Sequence, residues 1–462
     1  MLHCSDASDP PSSEAPGSTE SSPSSAGPSG DMPADTPSGS GTAAPGATAS
    51  VPPGAAEASA PMTALGTDQS TPTLSATSST TLAGVLDSAV QQGDAPGVVA
   101  LVVGRDGVLF EGAAGQLDAM NGEAMPTNAI FNIASMTKPV TSVAAMILFE
   151  RGQLGLDDPV GMYLSEFVAP NVATFDEAGG YTLTPAATAV TVRHLFSHTS
   201  GIGYSFSNSG VARLQQDFAG EEWELPLLDE PGTRWHYGAS TRVLGLIVEQ
   251  ITGQSLEAFF QTEIFGPLNM PDTSFAVSLD KQARLPSLHM RGADGGLLES
   301  PQNRVPATPS PPFTGDGGLY STAQDYGRFM RLFLNGGELD GVRILTERSI
   351  AMMGENQIGS IFVEQQEAAN PQLTQPFPLG AGSDKFGLGF QLTGTDSGGA
   401  SRSVGSMAWA GLFNTEFWID PRRGVAATLL MQVLPFYDDG AIRALQAFET
   451  ALYRELAASP AP

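Results

Sequence analysis

The sequence is poor in cysteine and in basic residues. Its single cysteine is Cys4, so no disulfide can form within the chain. Lys and Arg together number 21, against 49 Asp and Glu, and the net charge is −28. A chain this acidic is not expected to bind nucleic acid or an anionic membrane surface. We interpret the acidity as a solvated surface, because it identifies no particular substrate.

Long apolar runs are also absent. No stretch of 18 apolar residues occurs, so no transmembrane helix is expected, and the given N-terminus lacks the apolar core of a signal peptide. Cys4 followed by a long Ser/Pro/Gly-rich stretch is similar to a bacterial lipoprotein whose signal peptide lies upstream, although His3 fits that pattern poorly. The hypothesis is an extracytoplasmic bacterial protein, secreted or lipid-anchored at Cys4; the alternative is a cytoplasmic protein.

The first 80 residues contain no Lys, Arg, Phe, Trp or Tyr and are rich in Ser, Pro, Gly, Ala and Thr. A segment of this composition cannot bury enough apolar surface to offset the entropy lost on ordering. We predict that residues 1–80 form a disordered tail or stalk. Residues 81–458 are rich enough in apolar side chains to form one large domain, or two lobes with a cleft between them.

The remaining chain has strand patterns at both ends and helical patterns between them. Short β-like runs separated by glycine occur over 97–115 and again over 386–431. Helical patterns between and beside them include Leu82–Val90, Ser240–Ile251, Leu256–Ile264, Tyr326–Leu334 and Ile442–Leu456. This order predicts an α+β fold. A central antiparallel sheet would be built from N- and C-terminal segments and flanked by helices, with a mainly helical lobe beside it. Residues 168–190 are predicted to be a surface insertion, and 205–230 a loop-rich segment.

The segment of greatest chemical interest is Phe131–Phe149, in which Ser135 and Lys138 stand at the start of an apolar helical pattern. Residues three apart share one helix face, so the amine of Lys138 can reach the hydroxyl of Ser135. A helix N-terminus favours developing negative charge, and Pro139 is tolerated in the first turn. The arrangement suits a serine nucleophile that is activated by a neighbouring amine.

Two similar patterns in the sequence have simpler interpretations. Ser278 and Lys281 repeat the spacing, but they lie in a polar run with no apolar helix behind it, which indicates solvated surface. His194 and His198 have the spacing of a metal pair on one helix face. No third ligand is placed to help, so we predict a packing or turn role for both histidines. No metal and no cofactor are expected.

Five segments then resemble the serine β-lactamase-related superfamily, which includes class C β-lactamases and the penicillin-binding-protein fold. The resemblance is closest to the family VIII carboxylesterases. All five occur in the order typical of the family and span nearly the whole chain outside the tail. They are Ser135–Lys138, Thr191–Ile202, Pro231–Tyr237, Gly317–Asp325 and Trp409–Gly411.

The resemblance implies a role for each matching residue. Ser135 would be the nucleophile that carries the acyl group, and Lys138 and Tyr237 would act as general bases. The backbone N–H groups of Ser135 and Leu412 would form the oxyanion hole. The residues expected to bind substrate are Trp409, Ala410, Gly411, Ala239 and Tyr204.

Departures from the family pattern indicate the substrate. The Tyr-x-Asn motif of the family ends here in Ala239, and Trp409-Ala410-Gly411 stands where relatives have Lys-Thr-Gly. Loss of the lysine removes a cation that would hold a substrate carboxylate, so the sequence favours neutral small to medium acyl esters. The alternatives are a β-lactamase or D-Ala-D-Ala carboxypeptidase, an acyltransferase, and a non-catalytic binding protein. Retention of Ser135, Lys138 and Tyr237 argues against the last.

Overall fold

The computed structural model of the protein describes residues 72–118, 122–300 and 305–458. Most of the predicted tail, with Cys4 and its hypothetical lipid, lies outside these residues. The first helix begins at Ala76, and the side chain of Ser75 caps it by accepting a hydrogen bond from the N–H of Ser78. Residues 76–80, which the sequence assigned to the tail, therefore belong to the folded part.

The structure gives the bounds of the helices directly. Those of the described residues are α1 (Ala76–Gln91), α2 (Thr137–Glu150), α3 (Val192–Phe196), α4 (Ser209–Asp217), α5 (Ser240–Thr252), α6 (Leu256–Phe260), α7 (Ala323–Leu334), α8 (Glu347–Met353) and α9 (Asp439–Ala458). Within this part of the chain, no helix is both long and apolar enough to cross a membrane.

The strands fall into one large sheet and several small pairings. They are β1 (Gly97–Gly104), β2 (Val108–Asp118), β3 (Glu123–Ala124), β4 (Phe131–Asn132), β5 (Asn171–Phe175), β6 (Tyr181–Pro185), β7 (His289–Arg291), β8 (Leu297–Glu299), β9 (Tyr320–Ser321), β10 (Glu338–Leu339), β11 (Val342–Arg343), β12 (Lys385–Phe386), β13 (Gln391–Leu392), β14 (Met407–Gly411), β15 (Thr415–Asp420), β16 (Val425–Leu430) and β17 (Val433–Leu434).

The large sheet confirms the predicted α+β architecture. Its eight strands have the order β12-β13-β14-β15-β16-β1-β2-β3, and neighbouring strands are antiparallel. The N-terminal strand β1 pairs with the C-terminal strand β16, with Val99 opposite Leu430 and Gly104 opposite Val425. Segments more than 300 residues apart in sequence therefore meet within the sheet, and β14 lies two strands from β16.

Strand β1 is buried on both faces, and its side chains alternate between two cores. Val99, Leu101 and Val103 join the core that contains the apolar side of α2 and α7. The alternate residues of β1 join a second core, formed with α1 and α9 on the opposite face. The sheet is thus covered on both sides, which fixes the register because a one-residue slip would exchange the two sets of side chains.

Some helix ends agree with the sequence. Thr322 caps α7 by accepting a hydrogen bond from the N–H of Asp325 at 3.1 Å. Gly253 ends α5 in the left-handed conformation with φ 66°, which glycine adopts without a side-chain penalty. The surface insertion predicted at 168–190 contains the hairpin of β5 and β6, and α4 lies within the predicted loop-rich segment 205–230.

A single phenylalanine joins the C-terminal helix to both ends of the chain. The ring of Phe448 in α9 is fully buried and lies 6.1 Å from the ring of Phe110 and 6.5 Å from that of Trp418, measured between centroids. We expect Phe448→Ala to lower the free energy of unfolding by about 3–5 kcal/mol, because it leaves a cavity between α9 and the sheet.

Chemical denaturation of purified protein measures this loss. The matched control is Gln446→Ala, which removes an exposed side chain from the same helix and is expected to change stability by less than about 0.5 kcal/mol. An equal effect of the two substitutions would contradict the packing role assigned to Phe448.

Candidate active site

Ser135 lies in a short 3-10 turn, Ala134–Met136, immediately before α2. Ala134 has φ 41°, a left-handed conformation that costs energy for a residue with a side chain. Neighbours hold this turn in place: the Ala134 N–H donates to Asn132 Oδ1 at 3.0 Å, and the hydroxyl of Tyr326 donates to the Met136 carbonyl at 3.0 Å. The nucleophile candidate therefore stands on a fixed turn at the helix N-terminus, as predicted.

The amine of Lys138 is buried and meets three oxygen atoms. Its Nζ donates to Ser135 Oγ at 3.1 Å, to the hydroxyl of Tyr204 at 3.1 Å and to the carbonyl of Asp316 at 2.8 Å. The Lys138 side chain has three N–H bonds in its charged form, so each can find one acceptor. The predicted approach of Lys138 to Ser135 is confirmed, while Asp316 had no predicted role.

Tyr204 connects this amine to a carboxylate. Its hydroxyl donates to Asp316 Oδ2, and Arg242 Nε lies 3.4 Å from the other carboxylate oxygen. Burial, followed by the nearby Asp316 charge, raises the pKa of Tyr204 well above its usual value, so the phenol stays protonated. Because its single hydrogen points to Asp316, its lone pairs are left to accept from Lys138.

Tyr237 packs against Tyr204 beside the same amine, with the two ring centroids 5.2 Å apart. The Nζ of Lys138 is 4.8 Å from the centroid of the Tyr237 ring, a cation–π distance. The same ring packs against Trp409 at 4.9 Å and His198 at 5.1 Å between centroids. Among the described residues, the structure records no hydrogen bond to the Tyr237 hydroxyl, and Tyr237 lines the cavity beside Ser135.

Two loops that carry these aromatic residues are joined by backbone hydrogen bonds. His236 directly precedes Tyr237 in the sequence, and its N–H donates to the His198 carbonyl at 2.9 Å. The side chain of His194 accepts from the Thr191 N–H at 3.2 Å and caps α3. Burial, and to a lesser degree the charge of Lys138, holds the pKa of His198 well below its usual value. The two histidines therefore serve turn and packing, as predicted.

Strand β14 brings its Trp409-Ala410-Gly411 segment against the nucleophile turn. Gly411 pairs with Thr415 of β15, whose hydroxyl lies 3.4 Å from the carbonyl of Ile133. A Cβ at position 411 would clash with that carbonyl and with the Thr415 hydroxyl. Glycine at 411 thus permits β14 to lie close against the Ile133 carbonyl, two residues before Ser135.

A cavity of about 280 Å³ opens beside Ser135. The residues described as lining it include no Lys, Arg, Asp or Glu; they are Asn132, Ala134, Ser135, Tyr204, Phe206, Tyr237, Gly317, Gly318, Trp409, Ala410, Leu412, Phe413 and Phe436. Aromatic and aliphatic side chains form much of the wall. The residues that could take part in proton transfer or nucleophilic attack are Ser135, Tyr204 and Tyr237, through their hydroxyl groups. Such a cavity suits an apolar, uncharged ligand.

The predicted site residues occupy different positions relative to this cavity. Ser135 and Leu412, the predicted oxyanion-hole residues, both line it from separate segments. Gly411 is not among the lining residues; it allows β14 to approach the turn that carries Ser135. Ala239, predicted to bind substrate, does not line it: the residue is buried at the start of α5, where it serves as the N-terminal cap position.

The second Ser-x-x-Lys spacing forms no comparable pair. Lys281 Nζ donates to the Pro271 carbonyl at 2.8 Å and lies 2.8 Å from Asp272 Oδ1. Ser278 bonds to Asp280 instead. The surface interpretation of this second copy agrees with these contacts. Asp316, by contrast, went unpredicted because a lone Asp before a glycine pair gives no signal in the sequence.

Known proteins similar to this chain in sequence or fold include a family of serine enzymes, an esterase and an acyltransferase. A family model described as Beta-lactamase matches residues 82–452. The chain is 28% identical over 390 residues to Esterase EstB of Burkholderia gladioli, covering 75% of this chain and 88% of that protein. It is 29% identical over 349 residues to Acyltransferase calJ of Penicillium decumbens, covering 69% and 79% respectively. Simvastatin synthase from Aspergillus terreus, in its LovD9 mutant form, superposes with a TM-score of 0.70 at 25% identity, covering 83% of this chain and all of that one.

The close approach at Gly411 generates a test. We expect Gly411→Ala to displace β14 from the Ile133 carbonyl and to lower kcat/KM for an ester substrate by about 100-fold, since displacements near 1 Å have effects of that size. Steady-state hydrolysis of p-nitrophenyl butyrate measures the change, and circular dichroism checks folding. Gly107→Ala is the control, because a Cβ there meets open space; unchanged activity of Gly411→Ala would contradict the assigned role.

Proposed function

Because the chain belongs to the Beta-lactamase family and is a serine hydrolase, we propose that it is a carboxylesterase of small to medium acyl esters. The observation that carries this proposal is the uncharged, largely apolar cavity beside the Ser135–Lys138 pair. An ester places an apolar acyl group against such walls and requires no counter-ion. The nucleophile thus supports the proposed reaction type, and the cavity lining supports the proposed substrate class.

The same cavity argues against a substrate whose carboxylate must be held. Recognition of a carboxylate is strongest with a cation that can form charge-assisted hydrogen bonds. The described lining offers none, and Trp409 presents an indole where a lysine would be needed. A β-lactam or D-Ala-D-Ala peptide would leave its carboxylate unpaired in an apolar wall, which is costly. This is why the ester is preferred to those alternatives.

The proposed reaction has two acyl-transfer steps. Lys138 first releases a proton to solvent, and its neutral amine then takes the serine proton as Ser135 Oγ attacks the ester carbonyl. The N–H groups of Ser135 and Leu412 are proposed to stabilise the oxyanion, after which the alcohol leaves with a proton delivered through Tyr237. Water then attacks the acyl group on Ser135, giving up its proton to the same bases. The bond between the acyl group and Ser135 Oγ breaks, the carboxylic acid leaves, and Lys138 returns the proton from water to Ser135 Oγ.

Transfer of the acyl group to an alcohol instead of water is the second candidate. It is supported by the relative named Acyltransferase calJ and by the apolar lining, which disfavours water beside the acyl group. Hydrolysis and transfer use the same residues until the acyl-enzyme has formed. They differ in whether water or an alcohol then attacks the acyl group. Product analysis in the presence of an added alcohol distinguishes them, since transfer yields a new ester whereas hydrolysis yields only the acid.

The substrate class is tested by comparing an ester with a lactam. We expect p-nitrophenyl butyrate to be hydrolysed with a kcat/KM at least about 100-fold above that for a chromogenic cephalosporin, because one unpaired charge costs roughly 3 kcal/mol or more. Ser135→Ala should reduce ester hydrolysis by on the order of 10³-fold or more. Efficient cephalosporin turnover with negligible ester cleavage would refute the proposal, as would full activity of Ser135→Ala.

The Tyr204 hydroxyl is proposed to hold the Lys138 amine towards Ser135. We expect Tyr204→Phe to lower kcat by roughly 10- to 100-fold, the effect of losing a hydrogen bond to a charged group worth about 1.5–3 kcal/mol. KM should change little, since the phenyl ring still lines the cavity. Steady-state kinetics with p-nitrophenyl butyrate separates the two parameters.

A second tyrosine provides the control for this substitution. Tyr163 donates to Asp158 at 2.6 Å, so Tyr163→Phe removes a comparable Tyr–Asp hydrogen bond outside the site. Its kcat should stay within about twofold of the original. If Tyr204→Phe behaved like Tyr163→Phe, the hydroxyl would have no positioning role. If it raised KM alone, Tyr204 would serve substrate binding as first predicted.

A further inference from the structure

A second cavity lies on the α9 side of the large sheet. Its volume is about 320 Å³, and Leu445 and Glu449 of α9 form part of its wall. It adjoins the cavity beside Ser135, since Trp409, Ala410 and Phe436 line both. The proposed esterase reaction uses none of the polar side chains found here.

Glu416 is the feature of this cavity that needs an explanation. It lies on β15 opposite Ala410, and its side chain lines the cavity although the residue is only 8% exposed. Among the described residues, its Oε1 has no hydrogen-bond partner. Burial raises the pKa of Glu416 to about 8, against a smaller lowering by Arg402. A buried carboxyl oxygen without a partner is unfavourable unless a ligand supplies one.

The other charged groups of the wall are already paired. Arg402 donates twice to Glu449, from Nε at 2.9 Å and from Nη2 at 2.7 Å, so its guanidinium is committed. Asp384 accepts from Gln391 at 2.6 Å and from the Gly394 N–H at 2.9 Å. Glu416 therefore differs from its neighbours: it lines the cavity, and one of its carboxyl oxygens is paired with no described residue.

We propose that this cavity binds an organic primary ammonium ion, with the ammonium group donating to Glu416. The wall carries three carboxyl groups against one guanidinium among its described residues, which favours a cation over an anion. Apolar side chains such as Phe377, Leu379 and Leu445 would contact the organic part of the ligand. A neutral alcohol could donate one hydrogen bond to Glu416 but carries no charge that would favour the ionised carboxylate.

The charge requirement is tested with two ligands of similar shape. Benzylammonium chloride and benzyl alcohol are titrated into the full chain by calorimetry after Ser135 has been blocked with a phosphonate, which occupies the neighbouring cavity. We expect benzylammonium to bind at least tenfold more tightly than benzyl alcohol. Equal affinity of the two ligands, or no binding of benzylammonium, would overturn the proposal.

Substitution locates the site. Glu416→Gln keeps the shape of the side chain and removes its charge, so benzylammonium binding should weaken at least tenfold while benzyl alcohol binding stays the same. Glu123→Gln, an exposed position on β3, is the control for overall charge and should leave both affinities unchanged. Retained benzylammonium affinity in Glu416→Gln would overturn the assignment.

A second variant is used if Glu416→Gln fails to fold. Ala408→Leu fills the cavity from β14 and should abolish binding of both ligands. Retained binding in Ala408→Leu would overturn the proposal.

Proton release gives an independent measurement on the unsubstituted protein. The groups that face Glu416 are Arg402, Glu449, Asp384 and Tyr437. Below the pKa of about 8, Glu416 is largely protonated, and pairing with an ammonium ion favours its ionised form. Binding at pH 7 should therefore release close to one proton, measured from calorimetry in buffers of different ionisation enthalpy. Absence of proton release would contradict pairing with Glu416.

Discussion

The burial of one amine constrains much of this structure. Lys138 is only 2% exposed, and a buried ammonium group is tolerated only when its hydrogen atoms find acceptors. Those acceptors come from three separate segments: the nucleophile turn at Ser135, the loop at Tyr204 and the loop at Asp316. Each segment must keep its place for the amine to remain satisfied. The same requirement that stabilises the buried charge therefore assembles the chemical groups of the site.

The large sheet supplies the opposite wall and depends on a different constraint. Pairing of β1 with β16 buries side chains on both faces, so the register of the central strands is set by two cores at once. From that centre, β15 and β14 follow by antiparallel pairing, and Gly411 brings β14 against the Ile133 carbonyl. The distance between Ser135 and Trp409 is thus determined by core packing far from the cavity, as well as by local contacts.

The parts of the fold that sequence could predict are those with local causes. The Ser135–Lys138 contact follows from helical spacing, and the cap at Thr322 follows from one side chain and the turn after it. The role of Tyr237 could be suggested only by resemblance, because its approach to Lys138 joins segments about 100 residues apart. Asp316 had no signal at all, since its contacts with Lys138 and Tyr204 join segments far apart in the sequence. The β5–β6 hairpin escaped prediction because β6 is largely exposed and lacks an apolar face.

The two cavities on either side of the Trp409 segment show how one strand can separate two chemistries. Trp409 and Ala410 border both spaces, yet the space beside Ser135 has no charged lining residue among those described, whereas the other contains Glu416, Arg402 and Glu449. Side chains alternate across β14 and β15, so the register that directs Phe417 into the core beside α7 also directs Glu416 to the α9 side. A one-residue shift would place that carboxyl on the opposite face of the sheet. The uncharged character of the proposed acyl site and the buried acid behind it therefore have a common origin in the register of the sheet.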